Sequence, residues 1–171
     1  REDRRHINDR DALLLKETVY VKLNMEMAIN KGIVDIAARL RPDQCTLVPE
    51  RREELTTEGG LDVVRLIRRV RPVVSRLHDK GIEISAFIEP LADQVRASAD
   101  AGCQAVELWT GEYAHAKTGR ALKAALKHLE EAINAGHKAG LIVHGGHGLT
   151  YTNIGPIAAL PGFEEFNIGH S

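Results

Sequence analysis

The stretch LIVHGGHGLTY, residues 141–151, decides the fold. It opens on the apolar run Leu141-Ile142-Val143, passes through Gly145 and Gly146, and precedes a short helix-like segment. His147 therefore stands where a buried strand ends and its loop begins. The same arrangement recurs outward from this point. LNMEMA (residues 23–28) puts Glu26 at a strand end, AFIEP (86–90) puts Glu89 there, and FNIGHS (166–171) ends on His170 and Ser171. Strands whose polar residues gather at their C-terminal ends are the layout of an active site on a parallel α/β sheet or barrel. The chain reads as an enzyme.

Six segments read as buried strands: residues 20–26, 44–50, 82–89, 105–110, 141–145 and 165–169. Helical patterns lie between them. Val63, Leu66, Ile67, Val70, Val74 and Leu77 recur at helical spacing, with Pro72 expected to kink or break the helix. Leu122, Ala125, Leu126, Leu129 and Ile133 form a second apolar stripe, ended by Gly136 or Gly140. Shorter helices are expected over residues 11–19, 27–40 and 91–101. This alternation is the signature of parallel βα units. No low-complexity segment or linker divides the chain, so residues 1–171 are expected to form one domain.

An open doubly wound sheet and a (β/α)8 barrel both fit that alternation. The open nucleotide-binding sheet usually carries G-x-G-x-x-G after its first strand, and the sequence has none. Strand parity favours the barrel. Val21, Leu23 and Met25 alternate with Lys22, Asn24 and Glu26; Ile82, Ile84, Ala86 and Ile88 alternate with Glu83, Ser85, Phe87 and Glu89. In the fourth strand Glu107 shares its parity with Trp109, opposite Val106 and Leu108. With the apolar set packed on outer helices, the other set points into an unusually polar lumen. Six strands do not close an eight-stranded barrel. The expected architecture is thus a (β/α)8 TIM barrel of the α/β class represented by about six strands. It would be incomplete at both ends, by roughly two strand-helix units at the front and a helix at the back.

Bulk properties exclude other classes. A formal charge of −1 gives no general basic field for nucleic acid, and the Arg clusters (Arg1, Arg4, Arg5; Arg65, Arg68, Arg69, Arg71) lack interleaved aromatics. No run of about 18 apolar residues is present to span a membrane. No signal peptide is visible, although a chain beginning at Arg1 without Met could have lost one. Cys45 and Cys103 read as buried reduced thiols of a cytoplasmic protein, and no Cys-x-x-Cys pair argues for structural zinc.

Taken together, REDRRHI (1–7), LNMEMA (23–28), LVPERREELTTEGGLD (47–62), VELWTGEYA (106–114), GHGLTY (146–151) and NIGH (167–170) resemble the pyridoxine 5′-phosphate synthase family. The resemblance runs from first residue to last, and LVPE followed by TTEGGLD is its most specific motif. It implies a (β/α)8 barrel that condenses 3-amino-2-oxopropyl phosphate with 1-deoxy-D-xylulose 5-phosphate. Phosphate and water are released as the ring of vitamin B6 closes. It also implies no metal or organic cofactor, a homo-oligomer, and proton transfers supplied by the protein alone.

Residue by residue, the resemblance makes Glu26 a general base, His147 the general acid, and Glu107 a carboxylate stabilising charge in the transition state. A partly desolvated Glu26 would have its pKa raised toward the working pH. The plainer alternatives are a Glu26–Lys22 ion pair, a turn role for His147 and a lumen hydrogen bond for Glu107. Arg1, His6 and Thr56 correspond to contacts with deoxyxylulose phosphate, and Gly148, Gly169 and His170 to contacts with the aminoketone phosphate. Glu50 and Glu58 read as loop-ordering residues.

The chain departs from the family pattern in several places. The first strand with its Asp-His pair and phosphate-binding Arg is absent, as is a catalytic His two residues before Arg1. His144 stands where Asn is expected, and Trp109 where His is expected. The chain on its own is therefore not expected to be a competent catalyst. Two alternatives stay open: a metal-dependent barrel hydrolase using His144, His147, His170 and Glu107, and a non-catalytic phosphate-binding fragment. No His-x-His or His-Glu-x-x-His spacing supports the first.

Overall fold

The computed structural model describes residue 4 and residues 7–50 and 59–169. Its elements in chain order are α1 (Asp9–Thr18), β1 (Asn24–Met27), α2 (Lys31–Leu40), β2 (Gln44–Leu47), α3 (Val63–His78), β3 (Glu83–Ile88), α4 (Ala92–Ala101), β4 (Ala105–Trp109), α5 (Gly111–Ala114), α6 (Gly119–Lys138), β5 (Ile142–Gly146), α7 (Ile154–Ala158) and β6 (Glu165–Asn167). All six expected strands are present. They form one parallel sheet in the order β1-β2-β3-β4-β5-β6. Because strand order never reverses, crossovers of one hand leave the helices on one face. The other face is free to become a lumen.

The outward residues form the core. Leu47, Ile84, Ala86, Ile88, Val106, Leu108 and Val143 pack with Val34, Ala37, Val70, Val74, Leu77, Val95, Leu129 and Ile133 of the helices. The inward set is polar, as parity required. Lys22 Nζ donates to Gln44 Oε1 at 3.0 Å, Gln44 Nε2 to Thr46 Oγ1 at 3.3 Å, and Thr46 Oγ1 to Asn24 Oδ1 at 3.0 Å. Lys22, just before the first strand, also pairs with Glu165 of the last. In a flat six-stranded sheet those strands would lie about 24 Å apart, beyond the reach of two side chains. The sheet is curled into the greater part of a barrel wall.

Boundaries differ from the sequence expectation for local reasons. The first strand begins at Asn24 rather than residue 20, because the Leu23 N–H goes to the Asp43 carboxylate at 2.8 Å instead of a ladder. Tyr20 and Val21 are exposed. Helix α2 begins at Lys31, not residue 27: Met27 still pairs with Leu47, and Asn30 caps the helix by accepting from Ile33 N at 2.9 Å. Helix α3 runs through Pro72 unbroken. Pro72 lies on the exposed side, where water can satisfy the carbonyl whose intrahelical donor the ring removes. Helix α6 likewise continues past Gly136 to Lys138, with Gly140 in the left-handed conformation just beyond. Cys45 and Cys103 are buried free thiols whose pKa is pushed up to about 12 by burial, which makes them inert packing residues.

Candidate active site

Parallel strands end together, so residues at or just past their C-termini meet on one rim. Glu26 is the penultimate residue of β1, Phe87 that of β3, and Glu107 faces inward from β4. His147 follows β5, and Gly169 lies two residues beyond β6. Glu26, Phe87, Glu107, His147, Gly148 and Gly169 line one cavity of about 480 Å³, with Leu149, Asn167 and Ile168. Five of the site residues named from sequence are thus brought together. Arg1, His6, Thr56 and His170 lie outside the described residues, as does Glu58.

A second cavity of about 600 Å³ runs along β1 and is lined largely by apolar side chains, among them Ala12, Leu15, Met25, Ile33, Ile36 and Leu40. It shares Glu26, Phe87 and His147 with the first and runs past β1 to Arg4, Asn8, Glu50 and Gly59. The two compartments meet at a carboxylate and an imidazole.

The two carboxylates have different environments. Glu26 is exposed, so the partial desolvation expected of it is not observed, and Lys22 pairs with Glu165. Desolvation falls on Glu107, which is 4% exposed. Burial raises its pKa to about 7, the nearby negative charges of Glu26 and Glu165 add to the rise, and a hydrogen bond from Asn167 opposes it. That bond, Asn167 Nδ2 to Glu107 Oε2, is 2.8 Å long. The carboxyl also lies against Gly146, where an added β-carbon would sit 2.0 Å from Glu107 Oε1. Only glycine leaves it room.

His147 occupies an unusual backbone position, with φ 81°, in the left-handed region that β-carbon-bearing residues rarely adopt. Gly148 follows with φ 77°. The imidazole lies beside two aromatic rings, 6.2 Å from Phe87 and 6.1 Å from Trp109, both tilted by about 45°. Phe87 was legible as inward-facing by parity, but not as a wall of the site. Asn167 stood inside a quoted motif without a role. His144 is buried in the lumen beside Glu107 in register, and burial holds its pKa below the ordinary imidazole value. Among the described residues, His144 Nδ1 and Ser85 Oγ have no hydrogen-bond partner, and no group of three or more His, Cys, Asp or Glu is placed to hold a metal ion. Among the described residues no helix is long and apolar enough to cross a membrane.

Chemically, the arrangement offers an exposed carboxyl side chain, a buried carboxyl whose pKa is raised to about 7, and an imidazole beside two aromatic rings. It can move protons to and from a small polar ligand. Comparison with solved structures matches the fold alone. A deoxyribose phosphate aldolase from Aeropyrum pernix superposes with a TM-score of 0.65 at 14% identity, over 94% of this chain and 70% of the aldolase. A xylose isomerase domain protein from Planctomyces limnophilus gives 0.58 at 11%, over 87% of this chain and 64% of that one. Sequence relatives are much nearer. Proteins named pyridoxine 5′-phosphate synthase from Geobacter sulfurreducens, Synechococcus sp. and Trichlorobacter lovleyi are 54%, 53% and 52% identical over all 171 residues, and the chain spans 72% of each. The family model described as pyridoxal phosphate biosynthesis protein PdxJ matches residues 1–171, so the chain belongs to that family.

Proposed function

We propose that this chain carries the catalytic face of a pyridoxine 5′-phosphate synthase. The substrates would be 3-amino-2-oxopropyl phosphate and 1-deoxy-D-xylulose 5-phosphate, joined with loss of phosphate and water. The observation that carries this reading is the rim cavity of about 480 Å³ in which Glu26, Glu107, His147, Gly148 and Gly169 meet. A condensation of two molecules needs both held in reacting geometry beside the groups that exchange protons.

In this reading Glu26 removes protons as the new bonds form, and His147 donates to the departing oxygens. Glu107, poised near neutral pH by its burial, balances charge across the reacting centre. The aminoketone phosphate lies beside Gly148 and Gly169, with His170 as a further contact. Deoxyxylulose phosphate takes the larger compartment. Its assigned contacts Arg1, His6 and Thr56 are outside the described residues, but Ile7 and Gly59, close to them in sequence, line that cavity. The active form is a cytoplasmic homo-oligomer that requires no metal or organic cofactor.

The test is formation of pyridoxine 5′-phosphate from both substrates by the full-length protein. Glu26→Gln should fold normally and turn over about 10²–10⁴-fold more slowly, the usual contribution of a general base. Near-normal turnover in that variant would remove Glu26 from its role. Absence of product from the unaltered full-length protein would overturn the reading itself.

A further inference from the structure

Thr110 follows β4 at the N-cap of α5, where a threonine ordinarily accepts a hydrogen bond from the first helical turn. Its side chain makes no such bond, and the residue is fully buried. The hydroxyl reaches across to the loop after β5 instead. It lies 2.8 Å from the Gly146 carbonyl oxygen and 2.6 Å from that of His147. Gly146 O already accepts the Thr110 N–H at 2.8 Å. The single hydroxyl proton is therefore best spent on His147 O, at the shorter distance.

That carbonyl belongs to the one residue of the loop that carries a β-carbon in a left-handed backbone. Such a conformation persists only where its surroundings over-determine it. The next carbonyl is held as well. Gly148 O accepts from Asn153 Nδ2 at 2.9 Å, and Asn153 Oδ1 accepts from Thr150 N at 2.7 Å. The Tyr113 hydroxyl in turn donates to Asn153 O at 2.5 Å. In a trans peptide the N–H points away from the carbonyl. Holding His147 O thus fixes the direction of the Gly148 N–H, and holding Gly148 O fixes that of Leu149. Both residues line the smaller cavity.

We infer that Thr110 is a positioning residue: its hydroxyl, by holding the His147 carbonyl, keeps the imidazole beside Phe87 and Trp109, where it lines both cavities. The inference rests on the proposed role of His147 as proton donor. Thr110 lines neither cavity and acts only through the loop.

Steady-state kinetics and thermal melting of full-length variants test it. Thr110→Val keeps the shape and removes the donor. It should lower kcat about 10- to 100-fold with the KM for deoxyxylulose phosphate held within about twofold. Thr110→Ser, which keeps the hydroxyl, should stay within about threefold of the parent. A Val variant with a lowered Tm and unchanged kcat would make Thr110 purely structural and overturn the inference. Should Val fail to fold, Ser against Cys decides, since Cys puts a weaker donor on a larger atom in the same branch of the side chain. Equal kcat in that pair rejects positioning, and a slower Cys variant supports it. His147→Gln separates the two readings. Loss of turnover there beside a normal Thr110→Val sinks only the positioning role, whereas normal turnover in His147→Gln sinks the role of His147.

Discussion

Glu107 shows how burial changes the chemistry of one side chain. Most carboxylates in proteins stay ionised near neutral pH because water solvates them; this one is pushed toward its protonated form by burial in the barrel wall. Its folded-state pKa of about 7 lies above the ordinary 4.5, so the folded protein binds the proton more tightly than the unfolded chain does. The resulting stability is fully present below about pH 4.5 and is lost as pH rises through about 7. Glu107→Gln removes that dependence. Relative to the parent it should gain on the order of 3 kcal/mol between pH 4.5 and pH 8, read from urea unfolding at each pH. A parallel pH dependence in the two proteins would show that the carboxyl is solvated. His144 works in the opposite sense: its lowered pKa contributes stability above about pH 6.5 that is lost as pH falls. The Gln variant therefore removes the alkaline loss and leaves the acid one.

At the scale of elements, the helices are fixed to the wall by side chains that finish each other's ends. The N-terminus of α3 is capped by Asp62, whose Oδ1 accepts from Arg65 N at 3.1 Å. It is also capped from the neighbouring helix. Gln94 Oε1 of α4 accepts from Val63 N at 2.9 Å and Val64 N at 3.3 Å, while its Nε2 donates to Asp62 at 3.0 Å. Gln94 is buried, so water cannot replace it. Gln94→Leu should destabilise the fold by about 1–3 kcal/mol, the cost of leaving buried donors unsatisfied. A shift in urea midpoint worth less than about 0.5 kcal/mol would mean that these N–H groups find other acceptors. Element positions were legible in sequence because apolar periodicity is local. The start of α2 and the passage of α3 through Pro72 were not. The first depended on Met27 pairing with Leu47, and the second on which side of the helix faces solvent.

At the scale of the whole molecule, curvature brings the first and last strands within reach of one ion pair, Lys22 with Glu165. Both side chains are partly exposed, at 39% and 30%, so the pair is screened and its coupling modest. A double-mutant cycle on Lys22→Met and Glu165→Gln, followed by chemical unfolding, should return about 1 kcal/mol or less. A coupling above about 2 kcal/mol would mean that the pair is shielded from solvent rather than screened by it. Sequence by itself determined the alternation of strands and helices, the polar parity of the lumen with Glu107 on its inner side, and the placing of Glu26, His147 and Gly169 at strand ends. Those features follow from periodicity along the chain and from parallel strands ending together. Only the tertiary structure decided which carboxylate is desolvated, where Lys22 finds its partner, and that Phe87, Trp109 and Thr110 hold His147 in place. Each of these depends on contacts between segments far apart in sequence, set by how strongly the sheet curls.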